Sequence, residues 1–260
     1  MSKLNIALVQ TPLVWHNPPE NRNLIKSKLD AFFQTNKHFD LVVLPETFTT
    51  GFTMTPEAID YTEAGLTISW MQYLARMYNT AICGSIVVKE GATYFNRFCF
   101  VHPDTKVEHY DKHHTYSPAG ESEAYEQGMK RTLIQYKGFV IRPLICYDLR
   151  FPVWSRNDQD YDLLLYVANW PSPRIGAWDT LLRARAIENM SYCVGVNRLG
   201  DDPNGNFYPG HSSIYDPLGN QLLFSKDDGI SVGTIDKELI TSTRSKLNFL
   251  ADRDHFQINL

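Results

Sequence analysis

Short apolar runs punctuate this chain from end to end: LNIALVQ, DLVVLP, TAICGSIVVK, VIRPLI, DLLLYVAN and SYCVGVNR. Each is too short for a packed helix and almost wholly apolar, the pattern of a strand buried in a sheet. Helical patterns lie between them. The stretch around residues 20–35 is helix-compatible, and Ile68, Met71, Ala75 and Tyr78 recur at three and four residues. Trp178, Leu182, Ala186 and Met190 repeat at spacing four, and a short helix is expected near FPVWSRN. TYFNRFCFVH and KVEHYDK add strands after the third run, and SSIYD, QLLFS and ISVGTID close the chain as strands. Strands alternating with helices early in each half, then strand pairs, predict an α/β protein with mixed sheets. No low-complexity segment, linker or internal repeat is visible, so residues 1–260 are read as a single domain.

Composition narrows the function classes. At 260 residues and 43% hydrophobic content the chain can bury a full core. A net charge of −4 provides no basic field for nucleic acid. No stretch approaches the roughly 18 uninterrupted apolar residues of a membrane span, and the N-terminus MSKLNIALVQT lacks the apolar core of a secretion signal. A cytoplasmic protein is expected. Gly-rich phosphate loops of the common types are absent, which argues against a nucleotide enzyme. Cys83, Cys99 and Cys193 lie inside apolar strands and read as inert core thiols.

Cys146 differs. It stands where an apolar run ends and a turn begins, and two other polar residues hold the same kind of position: Glu46 after LVVLP and Lys112 after VEHYD. Strand ends are where open α/β sheets present functional groups. A thiol at its ordinary pKa of about 8.5 is mostly protonated at neutral pH and needs a base beside it. The oxygen of a carbonyl under attack needs a positive partner. A glutamate and a lysine supply both roles. Singly, each residue has an ordinary reading: a solvated acid near a helix start, a surface lysine, a core thiol at a strand end. Their shared placement favours the chemistry. His109 and His113, four apart, would suit zinc on a helix, but the flanking residues read as a strand and turn that point the rings apart, so no metal is expected.

The motifs around these residues resemble the nitrilase superfamily of carbon–nitrogen hydrolases. LPETFTTGF resembles its glutamate motif, YDKHH its lysine motif and LICYDLRFP its cysteine motif, in the family's order. The similarity continues through NIALVQTPLVW, YVANWPSPR, LLRARAIENMSYCVGVNR and GHSSIYDPLGN. CYDLRFPVWSRN, YDLLLYVANWP and RARAIENMSYCVGVNR look most like the omega-amidase branch, and its bacterial members in particular. That resemblance implies a nitrilase-type four-layer αββα sandwich, usually a homodimer. It also implies hydrolysis of the terminal amide of 2-oxo acids such as 2-oxoglutaramate and 2-oxosuccinamate, through a cysteine thioester and without a cofactor.

The same resemblance assigns roles. Cys146 would be the nucleophile, Glu46 the general base, and Lys112 with the backbone N–H of Tyr147 the oxyanion hole. Glu121, in SPAGESEAY, would hold Lys112 and the attacking water. Arg150, four residues past the thiol, is expected near the start of the next helix. There it could grip the substrate carboxylate, unless it pairs with Asp148 or Glu188. Arg174 and Trp170, in NWPSPR, are further candidates to line the substrate. One segment departs from the branch: His113 and Thr115-Tyr116-Ser117-Pro118 stand where relatives more often carry an arginine and a Leu-Phe pair before methionine. The shape of the loop over the substrate is left open. So are other substrates, namely N-carbamoyl compounds, small aliphatic amides or nitriles, and a scaffold that keeps the fold without activity.

Overall fold

The computed structural model describes residues 2–35 and 39–259. In chain order the strands are β1 (Lys3–Gln10), β2 (Leu41–Val43), β3 (Ala81–Glu90), β4 (Thr93–Val101), β5 (Val107–Asp111), β6 (Ile134–Tyr136) and β7 (Phe139–Ile145). They continue as β8 (Leu163–Ala168), β9 (Tyr192–Asn197), β10 (Leu199–Asp201), β11 (Phe207–Pro209), β12 (Ser212–Tyr215), β13 (Gln221–Ser225) and β14 (Gly229–Asp236). The helices are α1 (Pro18–Thr35), α2 (Glu63–Tyr78), α3 (Glu121–Ala124), α4 (Pro152–Ser155), α5 (Ile175–Asn189) and α6 (Lys237–Leu247).

Two six-stranded mixed sheets result, in the orders β14-β1-β2-β3-β4-β5 and β13-β12-β9-β8-β7-β6. They are built alike. Three strands run parallel at the centre of each, β1-β2-β3 in one and β7-β8-β9 in the other, with antiparallel strands outside. The sheets face each other across one apolar core that joins Ile6, Val43, Cys83, Phe98 and Phe100 to Ile141, Leu163, Leu165 and Val167. On the far side of the first sheet, α1 and α2 insert Ile25, Leu29, Met71 and Leu74 against Ala7, Val9, Val42 and Ile82. On the far side of the second, α5 brings Trp178 and Leu182 so close to β9 that a Cβ on Gly195 would lie 2.5 Å from Leu182 and 2.7 Å from Trp178. The fold is therefore an αββα sandwich. Each fully buried Leu, Val or Phe in it contributes about 1.5–3 kcal/mol relative to exposure.

The expected strands and main helices are present, joined by β6, the separate β10–β11 hairpin, and α6, which packs Ile240 on the core. A short repeat also exists. Asp202–Asn206 and Asp216–Asn220 share the pattern Asp-Pro-x-Gly-Asn and fold alike, the aspartate Oδ1 accepting from the asparagine N–H at 3.0 and 2.9 Å. Met190 does not continue α5; it caps it in the left-handed conformation, φ 44°. No helix among the described residues is long and apolar enough to cross a membrane.

Candidate active site

The C-terminal ends of β2, β7 and β8 lie together, and the segments just beyond them build the site. After β2 the chain stays tied to β3, Leu44 N–H donating to Cys83 O at 2.7 Å. Thr47 turns at φ 40° with its N–H on Ser85 Oγ. That turn points Glu46 inward, where it is fully buried. Lys112 lies just past β5. Its N–H donates to Asn96 O and its carbonyl accepts from Gly128 N–H. Only glycine fits at 128, because a Cβ there would lie 2.0 Å from Asp111 O. Glu121 opens α3 and is likewise fully buried, not a surface loop carboxylate.

These three side chains meet. Lys112 Nζ donates to Glu46 Oε1 at 2.9 Å and to Glu121 Oε1 and Oε2 at 2.9 and 2.8 Å. Burial alone would lower the lysine pKa, but Glu121 and Glu46 outweigh it and hold the ammonium well above its ordinary value. Burial raises the Glu121 pKa, against the opposing pull of Lys112. Asn96 Nδ2 bridges Glu46 Oε1 and Glu121 Oε1 at 2.8 and 3.2 Å. The Asn169 N–H donates to Glu46 Oε2 at 2.7 Å. Lys112, Asn96 and Asn169 thus all donate to Glu46, which suits an ionised carboxylate.

Cys146 opens a 3₁₀ turn, Cys146–Arg150, in a left-handed conformation at φ 43°. A non-glycine residue held there costs on the order of 1–3 kcal/mol, a strain found mainly at functional sites. Its Sγ lies 3.9 Å from Asn169 O, on the residue whose N–H holds Glu46. Burial and the Glu46 charge push the thiol pKa up, with Lys112 pulling the other way, so the resting sulfur keeps its proton. Tyr147 is second in the turn, where a helical N–H has no partner inside the turn.

The sequence reading missed the residue that locks this geometry. Asp148, fully buried, accepts from Tyr110 Oη at 2.8 Å, His114 N at 3.0 Å, His114 Nδ1 at 2.8 Å and Ile145 N at 3.0 Å. It thereby fastens the strand end before Cys146 to the chain on either side of Lys112. Arg150 is not its partner, nor that of Glu188, which accepts from Arg185. Arg150 also ends the 3₁₀ turn and does not begin the next helix; that helix is the single turn α4. His113 stacks on Trp154 at 3.7 Å, while His109 is exposed on β5.

A cavity of about 500 Å³ opens over Cys146. Arg150, Trp170 and Arg174 line it, as do Phe52, Tyr116, Tyr147 and the tip of the β10–β11 hairpin. Arg150 lies over the Trp170 ring at 5.0 Å and Arg174 over Tyr116 at 5.4 Å. Trp170 Nε1 donates to Arg174 O, joining the two walls. Neither arginine forms an ion pair among the described residues. The unusual 113–118 segment supplies Tyr116 and Pro118 to the cavity wall.

The profile of the carbon-nitrogen hydrolase family matches residues 5–245. Over 98% of its length the chain is 42% identical to omega-amidase YafV of Yersinia enterocolitica, covering 99% of that protein. It is 31% identical to 2-oxoglutaramate amidase of Bacillus subtilis, with 96% of this chain and 97% of that one covered. The crystal structure of a CN-hydrolase superfamily protein from Xanthomonas campestris, carrying an arsenic adduct in its active site, matches at TM-score 0.95. The identity there is 37%, over all of both chains.

Proposed function

The chain belongs to the carbon–nitrogen hydrolase family, and from that premise we propose that it is an omega-amidase working through Cys146. The observation that carries this reading is a single cavity whose wall brings a nucleophile and two cations together. In it a thiol lies beside a buried carboxylate and a buried ammonium, and two guanidinium groups that form no ion pair among the described residues rest on aromatic rings. A 2-oxo acid amide has the matching polarity, a carboxylate at one end and a neutral amide at the other. Arginine presents a planar fork that grips a carboxylate by two bonds. Trp170 would hold Arg150 in place and close one side of the acyl chain.

The chemistry rests on these contacts. Glu46 takes the thiol proton as Sγ attacks the amide carbon. The negative charge that forms on the carbonyl oxygen is met by Tyr147 N–H and Lys112. All three ammonium protons of Lys112 are engaged at rest, two of them by Glu121, so the pair with Glu121 opens to a single bond and frees one donor. Protonated Glu46 then gives its proton to the departing nitrogen, and ammonia leaves a thioester. Water, held by Glu121 and deprotonated by Glu46, attacks that thioester. Collapse expels the thiolate, which recovers its proton from Glu46 as the acid departs.

Ammonia release measured on 2-oxoglutaramate, 2-oxosuccinamate, glutamine, a small aliphatic amide, an N-carbamoyl amino acid and a nitrile tests the reading. The highest kcat/KM should fall on a 2-oxo acid amide, and a clear preference for any other member of the panel would overturn it. The same proposal carries a cytoplasmic homodimer. Light scattering should give about 60 kDa, twice the 29.9 kDa chain, with the protein in the soluble cytoplasmic fraction.

A further inference from the structure

Two asparagines outside this chemistry hold Glu46 from its two sides. Asn96 Nδ2 donates to Oε1 at 2.8 Å and reaches Glu121 Oε1 at 3.2 Å. Asn169 gives its backbone N–H to Oε2 at 2.7 Å; its Nδ2 donates to the Glu46 carbonyl at 2.9 Å and to Thr47 Oγ1 at 3.1 Å, with a longer contact of 3.3 Å to Oε2. The residues are 1% and 4% exposed, and the Oδ1 of each is buried without a hydrogen-bond partner among the described residues. A buried amide oxygen left unbonded costs stability. Rotating either carboxamide would aim that oxygen at a carboxylate, so both are kept in the costly orientation that delivers N–H to Glu46.

We propose that Asn96 and Asn169 are positioning residues that keep Glu46 an ionised acceptor and steer the proton it takes from Cys146 onto Oε2. The inference rests on reading Glu46 as the base. Oε1 is closed by two short bonds, from Lys112 and Asn96. Oε2 has one short bond and one long contact, and it lies on the side of Asn169, whose carbonyl Cys146 Sγ approaches at 3.9 Å. When the S–H bond breaks and an O–H bond forms at Oε2, only the 3.3 Å contact is displaced. Asn169 Nδ2 keeps the Glu46 carbonyl and Thr47, so the clamp survives both protonation states.

Several ionisable groups surround Glu46: Lys112 beyond β5, Glu121 on α3, Cys146 beyond β7, and the hydroxyls of Tyr125 and of Tyr208 on β11. Burial holds both tyrosines above their ordinary range, and the two carboxylates keep Lys112 charged. On the acid side, burial already raises the pKa of Glu121 beside Glu46. Donors to ionised carboxylates favour the charged form, and removing one moves the acid limb to higher pH.

The test compares wild type with Asn96→Ala and Asn169→Ala by two pH profiles. One is kcat/KM on 2-oxoglutaramate; the other is the rate of Cys146 alkylation by iodoacetamide, which needs the base but no amide substrate. In Asn96→Ala both acid limbs should rise by about one pH unit, with kcat roughly tenfold lower and KM within about twofold. Asn169→Ala should shift both limbs the same way but less, since its backbone N–H remains. Reduced rates with both limbs unmoved would overturn the proposal. If the amide is no substrate but the alkylation limb shifts, the omega-amidase reading fails and this one stands. Should Asn96→Ala not fold, Asn96→Ser, which leaves one shorter donor, carries the same comparison.

Discussion

At the ends of its strands the first sheet presents Glu46 and Lys112, both buried and enclosed by partners, while the second presents Cys146 and Asn169 at the floor of an open cavity of about 500 Å³. The sheets share a plan of three parallel strands with antiparallel flanks, so topology does not explain the difference. Their tasks do. Charges strengthen one another in dry, crowded surroundings, provided each has its partner. A nucleophile must be reached by a substrate. Placing the two on facing sheets lets burial be set on one side and access on the other. Asp148 ties the sides together, gripping Tyr110 and His114 around Lys112 and the N–H just before Cys146.

The comparison breaks most visibly at the thiol. Cys146→Ala should lower amide hydrolysis by on the order of 10⁴-fold or more at an unchanged melting temperature, because alanine fits the space and the neighbours stay paired. Cys83, Cys99 and Cys193 are fully buried, and burial raises the pKa of each, for Cys99 to about 12. Native protein treated with iodoacetamide should label at Cys146 and spare these three, as peptide mass mapping would show. Residual turnover of even a tenth in the alanine variant would remove Cys146 from the mechanism.

On the first sheet the expected loss is smaller. Lys112→Met keeps the length of the side chain and deletes the charge that meets the oxyanion, while Tyr147 N–H remains. Removing one such donor lowers kcat by about 10²–10³-fold. Glu121, whose pKa burial already raises, can take up a proton once the cation is gone, so folding should survive. An unchanged kcat would mean that the second sheet alone stabilises the transition state.

Much of this site can be read from the chain, for a physical reason. Glu46, Lys112 and Cys146 are polar residues that interrupt or end apolar runs, and a run's end is a strand's end. Glu121 was found by resemblance, since nothing in SPAGESEAY marks a carboxylate as buried. Asn96 carried a signal that went unused: strand alternation sets it on the same face of β4 as Phe98 and Phe100, which line the core between the sheets. A lone amide on an inward face needs a polar partner there. Asp148 could be seen in CYDLR, but its four donors come from segments 38 and 34 residues away as well as from its own turn, and pairing at that distance is a product of the fold. The β10–β11 hairpin escaped because its strands are three residues each, too short for any periodicity to show.

The finest distinction lies within the second sheet's own contribution, between the residue that reacts and the residue that selects. Arg150 is four residues past Cys146 and lines the same cavity, its guanidinium on Trp170 and clear of Asp148 and Glu188. If it reads the substrate carboxylate, Arg150→Met should reduce kcat/KM on 2-oxoglutaramate about ten- to a hundredfold, mainly through KM, the range expected for one charge-assisted contact. A neutral short-chain amide makes no such contact, and its kcat/KM should stay within about threefold of wild type. The pair of substrates is what gives the experiment its force. Methionine still covers the indole face, so a wall that merely needs filling would be served equally well for both. Equal losses on the two would instead mean that the guanidinium orders Trp170, and through its bond to Arg174 O the whole wall, which would move selection of the carboxylate to Arg174.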